Sequence, residues 1–349
     1  MINAKTVFVL GAGASCPYGY PSGVRLHKRV CLSKGFLQDY NAERLPDFSK
    51  FARDSKLQQI EEFKDAFNKS SIKSIDKFMA YNPKLAPIGK YIIAFEILRA
   101  EQQSLFGEEA KLEQEIIEFD HRGFAFQPED YLSRRFFQGD DWCSYLYNRL
   151  IEGAVGPSAL PNFSDGKLVF ITFNYDRSLE QFFYEALRNS FTGSQEDDIV
   201  KSLEQLKILH VYGQIAPLKW QNPKDYIDYK TQMSEVLLQR AANNIRTIHE
   251  EKQNPELTEA QNLLKQAEQI FFLGFGYAQE NMEVLKLSGI ISEASRCYGT
   301  AFGLETREIQ DIRAKIIQGV QRGSAMYWNR DLIKIEKEMD CLKLLRNYL

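Results

Sequence analysis

The segment from Val7 to Ser15 constrains the fold of this chain more than any other, because a short apolar run ends there in glycines. Its first four residues, Val-Phe-Val-Leu, are typical of a strand that is buried on both faces of a parallel sheet. Gly11 and Gly13 then permit a sharp turn and a close approach of the backbone to a ligand. A helix that begins near Ser22 would direct its partial positive charge toward this turn, which therefore suits a phosphate group.

The glycine turn lacks one part of the dinucleotide-binding pattern G-x-G-x-x-G. Cys16 stands where the third glycine of that pattern would be. An ordinary turn between a strand and a helix is therefore an alternative interpretation of the same residues.

Three later segments repeat the order of an apolar strand followed by polar or glycine residues. They are 168–176, 208–213 and 270–276. In an open α/β sheet, ligands bind at the carboxyl ends of the strands, so the residues after these strands should lie together. We therefore expect Asn174, Asp176 and His210 to share one crevice with the turn at Gly11–Ser15.

Strands and helices alternate along the second half of the chain. Strands are predicted at 168–173, 207–211, 269–273 and 297–302, and helices near 178–188, 230–252, 258–267, 280–288 and 305–319. Such alternation requires right-handed crossovers between parallel strands. The sequence therefore predicts an α/β fold, with a Rossmann-like and mainly parallel sheet, helices on both faces and an inserted helical lobe.

The predicted insertion occupies about 35–162, where strand-like runs stop and helical periodicity begins. The core would then comprise about 1–34 and 163–325 within a single domain of 1–349. Helices inside the insertion are predicted within 57–67, from about Pro87 to Phe106 and from Asp140 to Ile151. A helical tail is predicted at about 326–349, where the apolar residues at near-helical spacing are Leu332, Ile335, Met339, Leu342 and Leu345.

The composition is that of an ordinary soluble globular protein, with 44% hydrophobic and 26% charged residues. A net charge of -3 gives no general electrostatic reason to bind nucleic acid. No apolar run approaches the ~18 residues of a membrane-spanning helix, and the first residues carry no signal-peptide pattern. We therefore expect a cytoplasmic protein that contacts neither a membrane nor nucleic acid directly.

The 5 cysteines are scattered and odd in number, which argues against a disulfide framework. They are Cys16, Cys31, Cys143, Cys297 and Cys341. No two of them form a Cys-x-x-Cys pair, so a four-cysteine zinc module cannot be built. The histidines lack partners at metal-ligand spacing, and no metal site is expected.

Six short motifs together resemble the sirtuin-like superfamily, and specifically its bacterial branch of NAD-consuming anti-phage defence proteins. They are Gly11-Ala12-Gly13-Ala14-Ser15, Tyr20-Pro21-Ser22-Gly23, Ser74-Ile75-Asp76-Lys77-Phe78, Thr172-Phe173-Asn174-Tyr175-Asp176, Leu209-His210-Val211-Tyr212-Gly213 and Leu273-Gly274-Phe275-Gly276. No single motif is specific, but the set keeps the order of the family and frames most of the chain. The zinc cysteines of sirtuin deacylases are missing, and this departure counts against a protein deacylase.

The resemblance implies that Asn174 and His210 are the catalytic pair. A histidine with an unperturbed pKa of about 6.5 can accept a proton, here from a ribose hydroxyl, at cytoplasmic pH. An amide side chain can place a water molecule against the sugar carbon. The structural alternatives are a histidine bonded to backbone at a strand end and an asparagine bonded to its own turn.

The resemblance also implies that the glycine turns hold NAD+, which would be a substrate. Contacts with it are expected at Gly11, Ala12, Gly13, Ser15, Pro21, Ser22, Asp176, Gly274, Gly276 and Asn281. Helix capping is the alternative for Asp176, and a tight turn among aromatic side chains is the alternative for the glycines at 274 and 276. Asp76 lies at a predicted helix start and is expected to be structural.

The function that the resemblance implies is that of an NAD+ glycohydrolase. Such an enzyme cleaves NAD+ to nicotinamide and ADP-ribose and depletes NAD+ during abortive infection. The alternatives are an NAD-dependent protein deacylase or ADP-ribosyltransferase, and a non-catalytic subunit of a defence complex that binds NAD or ADP-ribose. Because the sequence contains no obvious sensor domain, the resemblance implies control by homo-oligomerisation or by a partner sensor such as a HerA-type ATPase.

Overall fold

A computed structural model describes residues 2, 4–32, 50–104, 141–152, 154, 156, 159–247, 250, 255–288, 295–317 and 332–349. Within these residues, six parallel strands form one open sheet in the order β3-β2-β1-β4-β5-β6. The strands are β1 Thr6–Leu10, β2 Leu168–Thr172, β3 Lys207–His210, β4 Gln269–Leu273, β5 Arg296–Thr300 and β6 Ile333–Glu336. This strand order is that of the Rossmann fold, which confirms the predicted fold class.

The strand β1 lies at the centre of the sheet and is buried on both faces, as its apolar sequence predicts. Phe8 and Val9 are fully buried. The ring of Phe8 stacks between the rings of Phe170 and Phe271, at centroid distances of 5.3 and 5.2 Å. These stacked side chains fix β1 between β2 and β4, so the turn that follows β1 has a strand end on each side.

The parallel register brings the ends of four strands to one edge of the sheet. Leu10 is level with Thr172 on one side and with Leu273 on the other, and Thr172 is level with His210. The residues that follow these strands therefore meet at this edge. The order of the strands reverses direction between β1 and β4, and right-handed crossovers then place the helices of the two halves on opposite faces.

The structure has a helix at each described segment that was predicted as one before the tail, with the largest difference in bounds at 230–252, and it adds a helix at Glu196–Glu204 that the sequence analysis does not predict. The described α-helices are α1 Ala12–Ser15, α2 Gly23–His27, α3 Lys50–Lys69, α4 Ile75–Tyr81, α5 Ala86–Gln102, α6 Trp142–Ile151, α7 Ser178–Ser190, α8 Glu196–Glu204, α9 Glu235–Asn244, α10 Pro255–Gln266, α11 Gln279–Val284, α12 Thr306–Ile317 and α13 Cys341–Tyr348. A 3₁₀ turn at Cys16–Tyr18 follows α1, and π-helical residues Lys28–Leu32 extend α2.

Serine side chains set the start of two helices. Ser22 Oγ accepts a hydrogen bond from the backbone N–H of Arg25 at 3.2 Å, which confirms the predicted N-cap of α2. Ser234 Oγ accepts from the N–H of Leu237 at 3.2 Å, so α9 begins later than the predicted 230. The helix also ends earlier than predicted, at Asn244, because Ile245 has extended backbone angles of φ -78° and ψ 131°. Residues 248, 249, 251 and 252 of the prediction lie outside the described residues.

The described part of the predicted insertion is helical. Helix α5 is almost wholly buried, and Ile92, Ile93 and Phe95 on it have no exposed surface. Because neighbouring elements cover this helix on nearly all sides, its sequence has no continuous polar face. The predicted residues 35–49 and 105–140 lie outside the description, so the boundaries of the insertion and of the domain stay predictions.

A buried ion pair joins α5 to the core. The guanidinium of Arg177, directly before α7, donates to both oxygens of the Glu101 carboxylate at 2.9 and 2.8 Å. Arg177 also donates to the backbone carbonyls of Pro217 and Asp228, at 3.2 and 2.9 Å. Neither charged group has access to water, so removal of one would leave the other as an uncompensated buried charge. The pair also links three separate segments of the chain.

The predicted helical tail at 326–349 is wrong for its first described part. Residues 333–336 form β6, which pairs with β5, and only 341–348 form a helix. Ile333 and Ile335 are buried and alternate with the more exposed Lys334 and Glu336, which is the period of a strand. Residues 326–331 lie outside the description. Among the described helices, none has the length and apolar character to cross a membrane.

Candidate functional site

A cavity of about 280 Å³, counted with the space at its mouth, opens at the carboxyl ends of β1, β2 and β3. Much of this volume is open space at the mouth, and the enclosed part has room for only about one water molecule, so a dinucleotide does not fit into it in this structure. Its polar lining comprises Ser15, Thr172, Asn174, Asp176, Ser178, Glu180 and His210. The sheet thus brings the predicted residues Asn174, Asp176 and His210 together with Ser15 of the turn after β1.

The side chain of Asn174 bridges the exit of β2 and the turn after β1. Its Nδ2 donates to the carbonyl of Gly11 at 3.0 Å and to Ser15 Oγ at 2.9 Å. Because a carbonyl can only accept, the Gly11 contact fixes which end of the amide is the nitrogen. Oδ1 accepts no hydrogen bond from any described residue, although Asn174 is only 7% exposed. The amide therefore holds one buried acceptor that a ligand or a water molecule can use.

Both nitrogens of the His210 ring face acceptors. Nδ1 lies 2.9 Å from the backbone carbonyl of Asn174, and Nε2 lies 2.6 Å from the carboxylate of Glu180. Burial alone would lower the pKa of His210, but the charge and hydrogen bond of Glu180 and the carbonyl bond outweigh it, and the pKa is raised. The surroundings therefore favour the protonated ring, which can donate to both acceptors, whereas the sequence predicts a neutral base.

Glu180 is a site residue that the sequence analysis does not identify. It lies in the first turn of α7, its side chain is 1% exposed, and it also accepts a hydrogen bond from Gln214 Nε2 at 3.0 Å. An acidic residue near a helix start is favourable through the helix dipole alone, so a glutamate at this position in the sequence does not indicate a functional role. Only the position of β3 beside β2 makes it the partner of His210.

Asp176 has the capping contact that was one of its two expected roles. Its carboxylate accepts from the backbone N–H of Ser178 at 3.1 Å and from the Ser178 hydroxyl, at the start of α7. Burial raises the pKa of Asp176, although hydrogen bonds from Ser178 and Ser15 act in the opposite direction. Asp176 thus positions α7, and with it Glu180, at the side of the cavity.

The glycines of the two expected cofactor turns contact each other, and we call Gly11, Gly13 and Gly274 the glycine crossing. The N–H of Gly13 donates to the carbonyl of Gly274 at 3.0 Å, and that of Gly11 donates to Leu273 at 3.0 Å. A Cβ on Gly274, where φ is +56°, would lie 2.0 Å from the Ala14 nitrogen. These N–H groups therefore serve packing between strand ends instead of being directed at a phosphate.

The other expected cofactor residues lie outside the cavity lining. Ser22 caps α2, and Asn281 accepts a hydrogen bond from the Tyr212 hydroxyl at 2.7 Å. Pro21 and Ala12 do not line the cavity either. Gly276 also lies outside the lining, is exposed to solvent, and has no atom within 4 Å of the position that a Cβ would take. Asp76, for which a structural role is expected, accepts a hydrogen bond from the Tyr175 hydroxyl.

Helix α6 covers the turn after β1 from the other side. The indole Nε1 of Trp142 donates to the carbonyl of Ala14 at 2.8 Å, and both Trp142 and Cys143 line the cavity. The backbone N–H of Cys143 donates to the hydroxyl of Tyr18 at 3.0 Å. These contacts close the cavity above Ser15.

Among the described residues, no group of three or more His, Cys, Asp or Glu side chains is placed to hold a metal ion. All five cysteines are described, and no two of them form a disulfide. In comparisons with known protein families, with curated proteins and with solved structures, the chain matches none.

Proposed function

We propose that this chain is an NAD+ glycohydrolase of bacterial anti-phage defence. The observation that carries the proposal is Oδ1 of Asn174, a buried acceptor inside a polar cavity and next to His210 that accepts no hydrogen bond from the residues the structure describes. The cavity also opens at the carboxyl ends of the strands of a Rossmann-like sheet, the edge at which such folds bind dinucleotides. The sequence motifs described above support the same function.

The reaction needs few protein groups. The bond from the ribose C1′ to the nicotinamide nitrogen breaks, the electron pair leaves with neutral nicotinamide, and water adds to C1′ to give ADP-ribose and one proton. Asn174 Oδ1 would accept a hydrogen bond from the attacking water and thereby orient it. When a substrate group replaces the Asn174 carbonyl, Nδ1 of His210 would first release its proton to solvent and would then accept one from a ribose hydroxyl.

The cavity is too small to admit a dinucleotide, so it must widen before NAD+ can bind. Trp142 has to leave the carbonyl of Ala14 before a dinucleotide can reach Ser15 and Asn174, because its ring lines the small cavity. A second protein or a second copy of the chain would supply this opening by binding preferentially to the open form. Control by homo-oligomerisation or by a partner sensor, including one of the HerA type, belongs to this proposal.

A non-catalytic subunit that binds NAD or ADP-ribose is the second candidate. The observation that favours it is the hydrogen bonding of His210, since both ring nitrogens already face acceptors. A protein deacylase has no such support, and neither has an ADP-ribosyltransferase.

The test is the release of nicotinamide from NAD+ by the purified full chain, alone and together with its activating partner, measured by chromatography without any acylated peptide. Asn174→Ala and His210→Ala should each lower turnover by roughly two to four orders of magnitude, the scale for losing a positioned or proton-transferring group. The matched control is Asn189→Ala, because the Asn189 amide lies on the exposed side of α7, away from the cavity lining, and donates to the Glu185 carbonyl at 2.8 Å.

Calorimetric titration with NAD+ separates the candidates. Binding without turnover supports the binding subunit, and turnover that needs an acyl-lysine peptide supports the deacylase. If neither binding nor turnover occurs, the NAD+ proposal is wrong. Because Asn174 and His210 are buried, circular dichroism and thermal unfolding must accompany each variant.

A further inference from the structure

The carboxylate of Glu180 is buried and has a single charged partner among the described residues. His210 Nε2 donates to it at 2.6 Å, and the neutral amide of Gln214 donates at 3.0 Å. A buried carboxylate is unfavourable by several kcal/mol unless it is paired and hydrogen-bonded. Helix capping does not require it, because Asp176 already accepts from the first N–H of α7. Glu180 therefore needs an explanation that involves His210.

We propose that Glu180 is the positioning residue of His210. It orients the imidazole through Nε2 and stabilises the positive charge that the ring carries whenever both nitrogens are protonated. This inference rests on the proposed function, because it assigns Glu180 a part in the same reaction.

The two contacts of the ring are unequal. The contact of Nε2 with Glu180 is a short, charge-assisted hydrogen bond, whereas that of Nδ1 with the Asn174 carbonyl is longer and has a neutral acceptor. Substrate therefore displaces the carbonyl more easily than the carboxylate. Nδ1 then releases its proton to solvent and can accept one from a substrate hydroxyl, while Nε2–H stays bonded to Glu180.

Groups from several elements face the ring. Glu180 approaches from α7 and Asp176 from the loop after β2, and both carboxylates favour the charged ring. The thiol of Cys143 lines the same cavity from α6. Burial disfavours the charged ring, and without the charge of Glu180 only Asp176 and the Asn174 carbonyl would still favour it. We therefore expect the ring to lose its proton at lower pH when Glu180 is neutral.

The first experiment needs no enzymatic activity. The full chain is labelled at its four histidines, and the ring signals are titrated by NMR, with His210→Ala to assign the signal. Glu180→Gln should lower the titration midpoint of His210 by about one pH unit or more, since an adjacent carboxylate commonly shifts a pKa by that much. The control Glu185→Gln removes a charge from the same helix outside the cavity lining and should leave the midpoint unchanged.

An unchanged midpoint in Glu180→Gln would overturn the pairing. Glu180→Asp keeps the charge on a shorter side chain, so it should give a smaller downward shift. This variant also keeps the test decisive if Glu180→Gln does not fold.

The second experiment measures the pH profile of NAD+ hydrolysis. Glu180→Gln should lower kcat by about 10- to 100-fold with little change in KM, the usual effect of losing a residue that orients a functional side chain. The limb of the profile that reports His210 should move to lower pH, and Glu180→Asp should restore part of kcat. A shifted NMR midpoint with unchanged kcat would show that Glu180 is only structural. Absence of NAD+ turnover in the wild-type chain would contradict the proposed function and leave the NMR result standing.

Discussion

Two neighbouring regions at the same edge of the sheet use their polar groups in opposite ways. In the glycine crossing, backbone N–H groups of Gly11 and Gly13 donate to carbonyls at the end of β4. In the polar cluster, formed by Asn174, Glu180 and His210, one buried acceptor has no partner within the described part of the chain, and a carboxylate and an imidazole lie in direct contact. The glycines therefore serve the packing of the fold, and the side chains after β2 and β3 are the better candidates for chemistry.

The largest effect that would test this contrast is expected at Gly274. Gly274→Ala places a Cβ 2.0 Å from the Ala14 nitrogen in a left-handed conformation at φ +56°. Overpacking and left-handed strain together should lower the free energy of unfolding by about 2–5 kcal/mol. Urea unfolding followed by circular dichroism measures this loss.

Gly303→Ala is the matched control for Gly274→Ala. Gly303 also has a positive φ, +80°, but nothing lies within 4 Å of its Cβ position. It should lose only the strain contribution, roughly 1–2 kcal/mol. Equal losses in the two variants would mean that the crossing is not tightly packed.

A smaller effect is expected in the pH dependence of stability that His210 confers. The folded state raises the pKa of His210, so its stabilising contribution is complete below the unfolded pKa and is lost as pH rises through the folded pKa. The difference in unfolding free energy between wild type and His210→Gln should therefore be larger at about pH 6 than at about pH 9. Urea unfolding at each pH measures it. A difference that grows with pH would mean that the folded ring is neutral.

The smallest change in stability is expected for Gly276→Ala. Gly276 is exposed and has open space around it, so its substitution should change stability by less than about 0.5 kcal/mol. Unlike Gly11, Gly13 and Gly274, which are also expected to contact NAD+, Gly276 has room for a ligand beside it. Under the proposed function its alanine variant should bind NAD+ several-fold more weakly by calorimetry. Unchanged affinity would leave the polar cluster as the candidate ligand contact.

The sequence predicts what depends on local pattern and on strand direction. The strands β1, β2 and β4 occur where their apolar runs lie, and Ser22 caps a helix as expected. The meeting of Asn174 and His210 follows from the shared edge of parallel strands.

The remaining features depend on partners that are distant in sequence. Pairing of Glu180 with His210 requires β3 to lie beside β2, and donation by Gly13 requires β4 to lie beside β1. The strand β6 has only four residues, too few to establish a period of two. Together with the apolar residues of the following helix, its two isoleucines fit a helical spacing equally well.

The central position of β1 has a consequence during synthesis of the chain. Both of its partners, β2 and β4, come much later in the sequence, so residues 11–167 must be made before either can pair with it. At about 5–20 residues per second, this takes on the order of ten seconds or more. Throughout that time this apolar strand lacks its native partners, so a chaperone that shields it would protect the nascent chain from aggregation.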